Sequence, residues 1–245
     1  MHQRSTLPAI ALLAVAALSA LTGCSDDTPV ASDPGPATSP TAPATTPAAL
    51  TDAVLLTDDD TVYSDGADWF RLGTGDEDLD GNGDLAHPCV PDGLTGTGAT
   101  SVVRADFELR NTSDPSVEVT SDLMVELVAQ YADEAAAEAA WSTVNGLLEE
   151  CADRPEAITD YRALQTRKVD VPGADAVITD SHFGPVPREV DPNGDAAYIM
   201  ETGVLRRGDR LVLLTSVVVG QDYDFVGGTP VERMLPKASR RLANS

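Results

Sequence analysis

Residues Leu7–Leu21 are apolar apart from Ser19, and this run decides where the rest of the chain folds. It follows a short polar stretch, Met1–Thr6, whose one charge is Arg4. A helix that spans a bilayer needs about 20 apolar residues, so the run is too short to span. A positive leader followed by an apolar core of this length matches a secretory signal peptide. The chain downstream is therefore expected to fold outside the cytoplasm, where thiols oxidise. No later segment reaches the roughly 18 apolar residues of a membrane helix.

The run ends in Leu21-Thr22-Gly23-Cys24, which resembles a bacterial lipobox. The resemblance implies cleavage of residues 1–23 and a lipid on the Cys24 thiol, which would be the chain's one membrane anchor. Residues 24–49 carry Pro29, Pro34, Pro36, Pro40, Pro43 and Pro47 among Ala, Thr, Ser and Asp, with no apolar periodicity. Such a segment buries too little surface to offset the entropy of ordering, so a disordered tether is expected. With Cys24 lipidated, Cys89 and Cys151 remain, an even pair in an exported chain that is expected to form a disulfide.

Residues 50–245 are expected to form a single α+β domain, an antiparallel sheet with flanking helices. Leu50, Val54 and Leu55 suggest a short helix, and the stretch with Trp69 and Phe70 shows no clear pattern. Ser101–Arg110 alternates Val103, Ala105, Phe107 and Leu109 with charged residues, the mark of a half-buried strand. Leu123–Tyr131 alternates again, with Leu123, Val125, Leu127, Ala129 and Tyr131 on one face. Asp133 caps a predicted helix on which Ala137, Trp141, Val144, Leu148 and Cys151 form one stripe, turning Cys151 inward. Four more strands are expected at about Arg162–Val169, Ala176–His182, Ala196–Arg206 and Arg210–Gly220. The last two join through Arg207-Gly208-Asp209, a turn rather than an adhesion motif. Leu211–Val219 is apolar on both faces and should be central. Thr229-Pro230-Val231-Glu232 has the form of a capping box, and Pro236 should limit or kink the helix it starts.

A cysteine in the loop His87-Pro88-Cys89, two strands reaching Tyr131-Ala132, and an Ala-rich helix carrying Trp141 and Cys151 resemble one group. They are similar to the PknH-type extracellular sensor domains of actinobacteria, here in stand-alone lipoprotein form. The resemblance implies a ligand-binding role without catalysis. The chain departs from the pattern in having one cysteine pair instead of two disulfides, and neither a transmembrane helix nor a kinase follows it.

Few residues offer chemistry. Asp78, Asp80, Asn82 and Asp84, with Gly83, follow the first positions of a calcium loop, but Cys89 stands where the bidentate Glu belongs. An acidic loop without metal is therefore expected, and no cofactor. His87 and His182 are the histidines beyond the signal peptide, and in Asp180-Ser181-His182 neighbouring side chains of a strand point to opposite faces. A net charge of −24 repels nucleic acid and anionic lipid. The expectation is a non-enzymatic, cell-surface lipoprotein that senses or binds a small ligand. The rivals are an envelope module that binds another protein or the wall, and an unrecognised hydrolase. A cavity between sheet and helix would favour the binder, and a broad apolar patch the envelope module.

Overall fold

The computed structural model describes residues 49–61, 67–76, 89–114, 122–153, 162–184, 186–194, 196–220 and 228–245. Cys24, the tether, His87 and the candidate calcium residues Asp78, Asp80, Asn82 and Asp84 lie outside these residues. The strands are β1 (Ala67–Asp76), β2 (Ser101–Asn111), β3 (Leu123–Gln130), β4 (Arg162–Lys168), β5 (Asp175–Phe183), β6 (Ala197–Arg207) and β7 (Arg210–Gly220). The helices are α1 (Glu134–Asp153) and α2 (Pro230–Ala243). Together they make an α+β fold around one seven-stranded sheet in the order β1-β2-β3-β7-β6-β5-β4, antiparallel throughout.

The order follows from two meanders. Strands β1 to β3 pair in sequence, as do β4 to β7, and the two sets join where β3 meets β7. This makes β7 the middle strand, as its continuous apolar run requires. Val212 and Leu214 belong to one apolar layer with Phe107, Val128, Met234 and Leu235, beneath α2. Leu211 and Leu213 belong to the other with Leu127, Ala129, Val144 and Leu148, beneath α1. The two helices thus cover opposite faces of the sheet.

Several expectations need correction. The stretch with Trp69 and Phe70 is a full strand, β1, which makes seven strands rather than six. Its alternation is obscured by Gly73, Gly75 and a bulge between Arg71 and Gly73. The short helix expected at Leu50–Leu55 is a single 3-10 turn, Asp52–Val54, and a second such turn follows at Asp58–Asp60. Pro236 lies inside α2 without ending it. The Thr229 side chain makes no capping bond to its helix and donates instead to Glu201.

Other readings hold. Val103, Ala105, Phe107 and Leu109 are buried along β2. The Asp133 carboxylate accepts from Ala136 N at 2.8 Å at the start of α1. Arg207 and Arg210 pair across a turn in which Gly208 takes the left-handed φ of 59°. Cys89 and Cys151 form a disulfide with Cα atoms 5.7 Å apart, which ties the end of α1 to the loop before β2.

Candidate functional site

The helix α1 packs over β6 and β7 and leaves the outer part of its face of the sheet uncovered. Between α1, the edge strand β4 and its neighbour β5 lies a groove of about 750 Å³. Binding sites for drug-sized molecules span roughly 300–1,000 Å³, so the space suits a small ligand. One wall is the flank of α1, where Glu138, Trp141, Asn145, Leu148 and Glu149 follow one another at helical spacing. The floor comes from β4 and β5, with Thr166, Lys168, Val177 and Thr179.

The sheet register explains the floor. Thr166 pairs with Thr179, Thr179 with Thr202, and Thr202 with Thr215, one threonine from each of four adjacent strands. The hydroxyls of Thr166 and Thr179 lie 3.2 Å apart, and those of Thr202 and Thr215 likewise. The inner pair and Thr179 are buried, and Thr166, on the edge strand, is exposed at the groove. One end is closed by Arg206, which reaches Glu138 at 2.9 Å and Asp175 at 2.5 Å and so holds α1 to the β5–β6 pair. Trp141 is half-buried, whereas Trp69 is fully buried in the other layer.

The opposite face carries a second polar cluster, at the start of α2. Asp180 and Glu201 are paired across β5 and β6. The Arg167 guanidinium donates to Asp180 at 2.7 Å and to Glu232 at 3.1 Å, and lies 3.4 Å from Glu201. Glu201 accepts from Thr229 Oγ1 and from Val231 N at 2.8 Å. A sheet carboxylate thereby caps α2, which explains why Thr229 leaves that task. Burial pushes the Glu201 carboxyl up to about 7, against the bonds from Thr229 and Val231 and the nearby Arg167. Burial also raises Asp180, opposed by Arg167. Glu201 is committed through both oxygens to holding the helix, whereas Asp180 binds Arg167 through Oδ2 alone.

Under the chain's N-terminal turns, Glu126 on β3 is fully buried and accepts from Leu56 N at 2.7 Å. Burial pushes its carboxyl up to about 8. Nearby, Asp60 binds Arg241 of α2, which also donates to Thr57 Oγ1 at 2.6 Å. Burial acts to raise Asp60, but the Thr57 N–H and Arg241 outweigh it and hold the carboxyl below its usual value. These contacts fasten residues 50–61 to α2 and to the sheet.

The sequence-predicted residues are not all brought together. Ser181 donates to Met200 O at 3.4 Å, while Asp180, two positions from His182 on β5, is engaged by Arg167 on the α2 side. The three therefore do not form a hydrolytic constellation. Cys151 anchors the C-terminal end of the helix that walls the groove. The sequence placed Trp141 on the helix stripe but gave no sign that it borders a groove. The adjacency of Thr166 and Thr179 has no local signal in the sequence, because it depends on strand register.

No protein-family model matches the chain, and no curated protein does. Among solved structures, the extracellular domain of PknH from Mycobacterium tuberculosis is similar at 11% identity, with a TM-score of 0.42. The match covers 70% of this chain and 85% of that one. A likeness this slight does not establish membership of the sensor-domain family and says nothing of a ligand.

Proposed function

We propose that the chain is a non-enzymatic binding protein, lipid-anchored through Cys24 on the extracytoplasmic face of the cell membrane, and that the groove between α1 and β4–β5 receives its ligand. The observation that carries this reading is the groove itself. It has a ligand-sized volume, a half-buried tryptophan in one wall and hydroxyl groups in its floor. The disulfide agrees with an oxidising compartment. An envelope module that docks another protein would need a contiguous apolar patch. The large exposed apolar residues among those described, Leu72, Leu123, Leu147 and Val190, belong to four different segments of the chain.

A thermal-shift screen of a chemically diverse small-molecule library tests the proposal. Ligand at about 100 times its Kd stabilises a protein by about 2.7 kcal/mol, which is readily seen. Hits are expected to raise the Tm of the wild type and leave Trp141→Ala unmoved. If every hit acts equally on both proteins, the groove is not the binding site.

A further inference from the structure

We infer that the groove takes a neutral, polyhydroxylated ring, such as a sugar residue of a glycan, laid against the Trp141 indole. The inference rests on the reading of the groove as a ligand site and adds the class of ligand. Three observations carry it.

The first is the indole. Trp141 is left half-buried on the groove wall while Trp69 is enclosed, so a planar apolar surface meets the open space. Tryptophan combines a large flat apolar body with one N–H donor, and this suits ligands with an apolar face and a polar rim. A pyranose ring is such a ligand, with C–H bonds on its face and hydroxyls around its edge.

The second is the uncharged hydrogen-bonding capacity across from that wall. Thr166 and Thr179 share one bond at 3.2 Å. A hydroxyl can donate once and accept twice, so capacity remains in Thr166, which is exposed, while Thr179 is already buried. Asn145 gives its amide N–H to Trp141 O at 2.9 Å, which leaves its side-chain carbonyl as an acceptor beside the indole. A purely apolar ligand would bury the Thr166 hydroxyl and the Asn145 carbonyl without partners, which weakens its binding. Ligand hydroxyls, donors and acceptors at once, satisfy them.

The third is the near-balance of charge. Arg206 is bridged by Glu138 and Asp175, and the Arg167 guanidinium is held by Asp180 and Glu232 on the other face. Neither offers the open fork that grips a carboxylate or phosphate. Lys168 and Glu149 line the groove with opposite signs, one from the floor and one from the wall. Three carboxylates, Glu138, Glu149 and Asp175, thus stand against two cations, Arg206 and Lys168, and this surplus of one negative charge disfavours an anion.

The test uses the full-length chain in detergent and isothermal titration calorimetry, whose signal does not depend on Trp141. The probes are a panel of neutral oligosaccharides, a quaternary ammonium (choline) and inorganic phosphate. At least one oligosaccharide is expected to give saturable heat, with a Kd that changes less than twofold between 50 mM and 500 mM salt. Trp141→Ala should weaken it tenfold or more, and Trp141→Phe, which keeps an aromatic plate, by less than Trp141→Ala. Circular dichroism confirms that each variant is folded. Trp141-dependent binding of choline or phosphate with no oligosaccharide response would overturn the sugar assignment and leave the groove reading standing. Silence from every probe, together with no Trp141-dependent hit in the library screen, would overturn both.

Discussion

Glu126 sits in the middle of β3, with its carboxyl fully buried and bonded to Leu56 N. Nothing in the alternation of Leu123–Tyr131 marks it, because a carboxylate between apolar residues normally belongs to a solvated face. Here the opposite face is covered too, by the N-terminal turns and α2, and Met124 and Val128 are buried beside it. Its carboxyl titrates at about 8 in the folded protein, against 4.5 ordinarily, chiefly because burial penalises the charge. The folded state then binds more protons than the unfolded one between those values, so this group's contribution to stability is full below pH 4.5 and is lost as pH rises through 8. Glu201, raised to about 7, acts in the same direction over a narrower window. Asp60, held low, acts oppositely and only under acid conditions. The protein is therefore expected to be more stable at pH 5 than at pH 8, by on the order of a few kcal/mol. Glu126→Gln should flatten much of that dependence, leaving the part due to Glu201. Urea unfolding at pH 5, 6.5 and 8 measures it, and equal slopes in the two proteins would show that the charge on Glu126 is not responsible.

At the scale of elements, the seating of α2 depends on an absent side chain. A Cβ on Gly203 would come within 2.6 Å of Val231 and 2.9 Å of Leu235, so helix and sheet meet at van der Waals contact there. Gly203→Ala is expected to lift α2 and destabilise the fold by about 1–3 kcal/mol, the usual cost of overpacking. Denaturant unfolding gives the figure, and an unchanged midpoint would mean that the helix adjusts freely. The disulfide works at the same scale, joining α1 to the loop before β2 over a separation of 62 residues. Its reduction should remove about 4 kcal/mol in the chain-entropy model. Melting with and without a phosphine reductant checks this, and a shift too small to measure would count against it. Elements with strong periodicity were legible in advance: β2, β7, and α1 with Asp133 at its cap. Those whose form depends on partners were not. β1 hides its pattern behind Gly73, Gly75 and a bulge, and the cap of α2 comes from Glu201, which lies 28 positions before Thr229.

At the scale of the molecule, the antiparallel α+β architecture followed from hairpin-type connections, but the strand order did not, because nothing local announces that β3 pairs with β7. The groove was illegible for the same reason, since it exists only where α1 stops short of β4 and β5. The membrane anchor is a sequence expectation that can be tested on the whole chain. Wild type should enter the detergent phase on partitioning and Cys24→Ala the aqueous phase, whereas equal release of both into the medium would remove the anchor from the account. The seam between the two meanders also bears on how the chain comes into being. A polypeptide emerges N-terminus first, so β1 to β3 are complete while β7, the partner of β3, has yet to appear. Until then β3 presents a bare row of N–H and C=O groups beside uncovered apolar side chains, a template for pairing with other chains. The hazardous interval lasts until the last strand and α2 have emerged. A chain of this topology calls for a holdase that shields nascent β3, and its demand for one ends when β7 closes the seam.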